Sequence, residues 1–298
     1  ARYRKEATGA LDENQIQKID EKYKYYCNLM DRKNTVIKLI DEKGMLTPEL
    51  KESILACTKL VDIEDIYLPY KEKKKTKGSE AIKLGLEPLA KMIMSFPEKG
   101  NMDDIWAKSP VEKDVAIENT KYIISEWISD NASYRKHIRN NMMKYGIIHT
   151  KIKKSATDEK KIYEMYYDYE ERVKFIKPHR VLAINRGEKE EILSVNISVD
   201  NEYIISYLEN KIIKNENVVS SAIVKDAIRD SYKRLILPSI EREVRSELKD
   251  ISEEGAIDIF GKNLEALLLT PPMKDITVLG FDPAYRTGCK LAVVSPLS

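Results

Sequence analysis

Cysteine is scarce and poorly placed for pairing. Cys27, Cys57 and Cys289 are odd in number, far apart and form no CxxC unit. That argues against a disulfide framework or a thiolate zinc site and fits a reducing cytoplasm. Glycine is also scarce, at 11 residues of 298, which leaves little room for a loop that cradles nucleotide phosphates. Neither a P-loop nor a GxSxG motif occurs. His137, His149 and His179 lie far apart with no carboxylate or cysteine at ligand spacing, so no metal site is expected, and nothing calls for a cofactor. No apolar run reaches the length that spans a bilayer. The opening Ala1–Lys5 is basic with no apolar stretch behind it, unlike a secretory signal. The expectation is a soluble cytoplasmic protein without a membrane partner. There is no initiator Met, and the last strand stops just after it starts, so the ends read as those of a fragment.

What is abundant is charge. Asp, Glu, Lys and Arg make up 34% of the chain, yet the net charge is only +2. Such near-cancellation excludes a uniformly basic coat and favours long helices with mixed-charge faces. Any nucleic-acid footprint must then come from local clusters. The chain is 42% hydrophobic, enough for a sizeable core, and its length suggests about two domains. Aromatics are mostly Tyr, 17 against 4 Phe, so many rings carry a hydroxyl that needs water or a partner.

Apolar periodicity predicts a mainly α fold, a multi-helix scaffold with one short strand element. Asp12 suits an N-cap for a long helix with the seam Ile16, Ile19, Tyr23, Tyr26, Met30, Ile37 and Ile40, ended by Gly44. Thr47-Pro48 starts the next helix, with a stripe at Leu50, Ile54, Cys57 and Leu60. Residues 62–78 read as a polar connector. Ser79 caps a short helix ended by Gly85, and Pro88 opens another. Helices resume over 111–129 and from Ser133 to Tyr145. Residues 147–175 read as a short extended stretch followed by a helix, and the segment after Pro178 as a helix stopped by Gly187. Residues 192–198 alternate like one strand, whose partner the sequence does not name. Helices fit 202–214 and 220–235, and Pro238 starts the longest, over 239–269, with the seam Ile240, Val244, Leu248, Ile251, Ile257, Leu264 and Leu267. Gly255 inside it allows a kink. Pro271-Pro272 ends it. The period then changes to a β-hairpin, marking a boundary near 273. The domains expected are 1–130, an N-terminal helical region incomplete at its start; 131–273, a central helical region with the long connecting helix; and 274–298.

Five segments, in order, resemble signatures of the Tex family of bacterial transcription accessory proteins: ARYRKEATG at Ala1–Gly9, DIEDIYLPYKEKKKT at Asp62–Thr76, HRVLAINRGEKE at His179–Glu190, LPSIEREVR at Leu237–Arg245 and LGFDPAYRTGCKLAVV at Leu279–Val294. The last is similar to the opening of the family's YqgF RNase H-like domain. The resemblance implies a helical scaffold followed by that domain, which here is truncated to its first β-hairpin. Helix-hairpin-helix elements and an OB-fold that dominates nucleic-acid affinity would follow. Where the family usually has DPGFRTG, this chain has Ala284 at the third position, an unfavourable residue if that position needs a positive φ.

Four places have residues that suit chemistry or contact. Asp282 sits where an RNase H-like nuclease holds the first of its Mg²⁺-binding carboxylates. It is a weak catalytic candidate, and the alternative is an Asp-Pro turn residue bonding its own backbone. Arg286 and Lys290 flank a Gly-containing turn that can approach a phosphate, or they are solvated charges on a hairpin. Lys71, Lys73, Lys74, Lys75 and Lys77 surround only Glu72, and such a loop adds salt-dependent, sequence-blind affinity if it meets phosphates. Arg135, Lys136, Arg139 and Lys144 belong to the longest basic stretch, Ser133–Ser155, which holds no acid. Arg135 and Arg139 share a helix face, and Tyr134 and Tyr145 interleave as stacking candidates. Its alternative is a helix packed by Ile138 and Met142 with the cations in water. If the patch binds, reversing Arg135, Lys136 and Arg139 to Glu weakens binding to any sequence and flattens the salt slope.

Three functions compete. The first is a non-catalytic transcription accessory protein that contacts RNA or DNA phosphates without sequence preference. The second is a scaffold docking on RNA polymerase or another transcription protein without touching nucleic acid. The third is part of an RNase H-like nuclease or resolvase, resting on Asp282. The first is expected.

Overall fold

The computed structural model describes residues 9, 11–71, 75–97, 106–107, 109–215, 219–271, 275–284 and 288–296. Helix α1 spans Glu13–Asp41, and its start is set by Asp12, which accepts from the Gln15 amide while the Gln15 side chain returns the bond. α2 is Pro48–Ala56, capped by Thr47, and α3 is Leu60–Tyr67, continued by a 3₁₀ turn over Leu68–Tyr70. These three share a small core of Leu29, Val36, Ile40, Ile54, Ile63 and Tyr67.

The α1 seam differs from the one the apolar spacing suggests. Leu29, Lys33, Val36 and Ile40 are buried, while Ile19, Tyr23, Tyr26 and Met30 are exposed. Lys33 can be buried because its ammonium donates to the Leu55 carbonyl at 2.6 Å, one of the orphan carbonyls at the end of α2. The polar stretch 62–78 is likewise no simple connector, since α3 supplies Ile63 and Tyr67 to the core.

The larger core runs from Ala81 to Leu248 and draws on residues either side of 130, including Ile123, Ile124, Ile128, Ile138 and Met142. It is built from α4 (Lys77–Lys83), α5 (Glu87–Met94), α6 (Lys113–Ser129), α7 (Ala132–Tyr145), α8 (Pro178–Lys189), α9 (Asn201–Ile212) and α10 (Val219–Asp230). Thr76, not Ser79, caps α4.

The single strand expected at 192–198 has neighbours. β1 (Ile147–Ile152), β2 (Asp168–Arg172) and β3 (Leu193–Ser198) form an antiparallel sheet in the order β2-β1-β3. Ile148 pairs with Ile197 and Thr150 with Val195. A helix was expected within 147–175; β2 occupies that place, and its alternation is half-polar because only one face is covered. α8 lies against β3, and a Cβ on Gly187 would fall 2.7 Å from the Leu193 side chain, so only glycine permits this approach.

The two helices expected on either side of Pro238 are joined. α10 continues through a π-helical segment, Ser231–Ile236, into α11, Leu237–Leu268. Pro238 has no amide hydrogen and would clash with the carbonyl four residues back. A wider turn, in which the Leu237 amide reaches the Tyr232 carbonyl, takes up that mismatch. α11 buries Ile240, Val244, Leu248 and Ser252. Its distal half leaves Ile257, Phe260, Leu264 and Leu267 exposed, so the expected seam ends at Leu248. Gly255 faces Pro178 at the start of α8, within an unbroken helix. Beyond it, β4 (Val278–Ala284) and β5 (Gly288–Val294) pair antiparallel as a separate hairpin. Ala284 lies in extended β4; the left-handed residue is Gly288, at φ 81°, where glycine is at no disadvantage. No helix among the described residues is long and apolar enough to cross a membrane.

Candidate nucleic-acid interface

The lysine-rich turn before α4 is fastened to the scaffold. Glu126 of α6, buried in the larger body, accepts from the Gly78 amide at 2.9 Å and from the Thr76 hydroxyl at 3.1 Å. The fit is close enough that a Cβ on Gly78 would stand 2.5 Å from the Glu126 carboxyl carbon. A charged acceptor at a helix start suits both the free amides and the helix dipole. Lys77 then lies 4.4 Å from the Tyr122 ring centroid and donates to its hydroxyl at 3.2 Å. Lys71 and Lys75 are exposed, Lys75 being 3.2 Å from Glu80. Lys73 and Lys74 lie outside the described residues.

Two arginines that the sequence did not mark as contact residues, Arg234 and, within the LPSIEREVR segment, Arg242, face this turn. Arg234, on the π-helical segment, is held by Asp230 at 2.6 Å and lies 5.3 Å from the Tyr122 ring centroid. Burial would raise the Asp230 carboxyl pKa, but hydrogen bonds from Arg234 and Ser125 outweigh it and hold the pKa below the ordinary value. Arg242, one turn into α11, is exposed and donates to the Pro238 carbonyl at 3.0 Å. Together these elements line a cavity of about 570 Å³ with Lys71, Lys75, Lys77, Arg234 and Arg242 on its walls, against Glu126 and Asp130. The signal that could have found the arginines is the spacing along α11. Ser239, Arg242, Ser246 and Lys249 recur at three- and four-residue steps opposite Ile240, Val244 and Leu248.

The other basic patch does not survive as a surface. Arg135 and Arg139 do share a face of α7, but it is an inward face: they are 5% and 7% exposed. Arg135 donates to Asp65 at 2.7 Å, to Ser239 at 2.9 Å and to Glu243. Arg139 donates to Asp65 at 2.6 Å and to Glu243 at 2.7 Å. Burial would lower the Arg139 pKa, but the bonds to Asp65 and Glu243 raise it. The arginines therefore pin α3 and α11 to α7. Reversing them to Glu would place four carboxylates together inside the protein, so that triple variant tests folding rather than binding. Of the same stretch, Lys136 is exposed and 3.3 Å from Asp62, and Lys144 lies 4.9 Å from the Tyr145 ring centroid.

Asp282 is exposed on β4, in register with Lys290 on β5; Arg286 lies outside the described residues. Among the described residues no three His, Cys, Asp or Glu side chains converge as metal ligands would. Asp282 by itself does not compose a two-metal site.

A helical frame that fastens a basic turn beside one face of a long helix defines an α-helical scaffold protein. Residues 105–260 match the Tex central region-like family, and residues 1–41 match the Tex-like protein N-terminal domain. The chain belongs to the Tex family. It is 52% identical over 98% of its length to uncharacterized protein YdcI of Bacillus subtilis, covering 42% of that protein. It is 33% identical over 99% of its length to transcriptional accessory protein Tex of Neisseria gonorrhoeae, covering 40% of it. It is 28% identical over its whole length to human S1 RNA-binding domain-containing protein 1, covering 32% of that protein. The chain thus spans well under half the length of these relatives.

Proposed function

We propose that this chain is the non-catalytic helical scaffold of a cytoplasmic transcription accessory protein, and that it contacts RNA or DNA phosphates through the cleft beside α4. One observation carries the reading: Lys71, Lys75 and Lys77 share a cavity with Arg234 and Arg242, from segments more than 150 residues apart in sequence. Each neutralised phosphate releases counterions, so binding is salt-dependent and sequence-blind. Fluorescence anisotropy with labelled RNA and duplex DNA, between roughly 50 and 200 mM salt, tests it. The double reversal K75E/K77E weakens binding about tenfold and flattens the log–log salt slope by about two. Thermal stability stays within about 0.5 kcal/mol, as for other surface changes. Salt-independent or absent association would refute the reading.

A second reading, a docking scaffold for transcription proteins such as RNA polymerase, is favoured by the exposed stripe Ile19, Tyr23, Tyr26 and Met30 on α1. Exposed apolar stripes of this kind mark interaction surfaces. The outcome that separates the two is association with nucleic acid in the absence of any protein partner.

A further inference from the structure

The cleft beside α4 is not isolated. A second cavity, of about 860 Å³, lies between α8 and α11 and is lined by Arg186, Lys189, Arg242, Arg245 and Lys249, against Glu188, Glu190 and Glu253. Arg242 lines both cavities. Along the π-helical segment and α11, Leu235 and Ser239 line the first cavity and Ser246 and Lys249 the second, with Arg242 between them, at steps of three and four residues that keep them near one helical face. The two cavities therefore follow one stripe of the same helix.

The acids of the second cavity have partners of their own. Glu188 takes Arg245, Glu253 stands 3.6 Å from Lys249, and Glu190 is hydrogen-bonded to Tyr163. Arg242, Arg186 and Lys189 are exposed and make no ion pair among the described residues. Two of them sit in the last turn of α8.

We propose that a base-paired nucleic acid lies along this stripe of α11, gripped by its phosphates from Lys71, Lys75 and Lys77 at one end to Arg186 and Lys189 at the other. The inference rests on the reading of the first cleft as a polyanion site. The fourteen helical steps from Leu235 to Lys249 extend about 21 Å, roughly six base pairs at the spacing of duplex DNA. No aromatic side chain lines either cavity among the described residues. Proteins that hold single strands use aromatic platforms on which bases stack. Tyr122, the ring beside the first cleft, is occupied by Lys77 and Arg234, and cavities lined by cations without a stacking platform suit a partner whose bases are already stacked and whose phosphates face outward.

The test uses the 298-residue chain, a labelled duplex of about two helical turns, the matching single strand, and poly-glutamate as competitor. The duplex is expected to bind more tightly than the single strand. R186E/K189E is expected to weaken duplex binding about tenfold and lower the salt slope by about two, with the melting temperature unchanged. R186Q/K189Q, which adds no negative charge at a helix C-terminus, gives the same direction with a smaller loss if the reversal perturbs folding. If K75E/K77E weakens binding and both α8 variants leave it intact, the first cleft stands and the extended track is overturned. Single strand binding as tightly as duplex, or poly-glutamate displacing duplex at equal charge, overturns the duplex assignment. Absence of salt-dependent binding to every probe overturns the cleft and the track together.

Discussion

Two sets of cations that look alike in sequence have opposite fates in the fold. Arg135 and Arg139 come from the longest acid-free basic stretch, yet they are buried and neutralised by Asp65 and Glu243. Lys71, Lys75 and Lys77 sit beside more acids in sequence but open into a cleft that gathers further positive charge. Local charge density therefore says little about where a cation points. The deciding residues are remote: Asp65 is 70 positions from Arg135, and Glu243 is 108. Arginine suits the buried role because its planar fork serves two carboxylates at once, whereas lysines suit a loop that meets phosphates as point charges.

The comparison breaks most sharply at Asp65. Substitution D65N leaves two buried guanidiniums sharing one carboxylate, and removal of a single partner from a buried ion network typically destabilises by about 3–5 kcal/mol. Urea denaturation of the variant is expected to show a loss in that range. Duplex binding by the remaining folded fraction keeps the wild-type salt slope, because Arg135, although it borders the first cavity, stays with Arg139 on Glu243 and both are almost fully buried. A stability change below about 1 kcal/mol would instead put the pair on the exposed side of the comparison.

Next in size is Gly78. An added methyl meets the Glu126 carboxylate and must displace the group that anchors the turn, so G78A is expected to destabilise by about 1–3 kcal/mol. Unlike D65N, it also weakens nucleic-acid binding, because the same displacement frees Lys75 and Lys77 from their place beside Arg234. Calorimetry and anisotropy on one preparation would show both effects. Loss of stability without loss of affinity would separate the anchor from the cleft.

Most of the helical scaffold was legible because periodicity and caps are local. Asp12, Thr47, Gly44 and Pro178 mark helix ends in the sequence and in the structure. The sheet was half legible. β3 alternates cleanly, but β1 and β2 carry His149, Lys151, Glu170 and Glu171 on faces that only their pairing explains. The π-helical segment is legible only as Pro238, which reads equally as a helix start. The cleft was legible in its lysines and hidden in its arginines. Arg234 and Arg242 look like ordinary charges on a mixed helix until the turn before α4 is laid against them. The exposed halves of α1 and α11 show the reverse: their apolar spacing predicts burial, and among the described residues no element supplies it.

Acid sharpens the comparison from the carboxylate side. Asp230, which positions Arg234 at the cleft, has its pKa depressed in the fold, and so have Asp158 and Glu171. Asp158 is depressed chiefly by the Tyr163 amide; Glu171 is depressed despite burial, by bonds from Tyr169 and Arg180. Each binds its proton less readily folded than unfolded. The stability each contributes is present above its ordinary value, 3.8 for Asp and 4.5 for Glu, and is lost as pH falls through the lower folded value. Melting temperature is expected to hold near neutrality and decline below about pH 4, and D230N is expected to make that decline shallower. An unchanged slope in D230N would remove Asp230 from the account.

The smallest expected effect lies at Lys136, between the two buried arginines in sequence but pointing outward. Its ammonium is 3.3 Å from Asp62, with 59% of its side chain exposed. Exposed pairs of this kind are worth about 0–1 kcal/mol, because water screens the attraction and holding a long side chain opposes it. K136A is expected to shift stability by less than about 0.5 kcal/mol and to leave duplex affinity alone, since Lys136 lines neither cavity along α11. Its neighbours at 135 and 139 are the strongest contrast available within one helix: three cations within five residues, of which the outward one is dispensable. A loss of affinity in K136A would move the binding surface from the stripe of α11 to the outer face of α7.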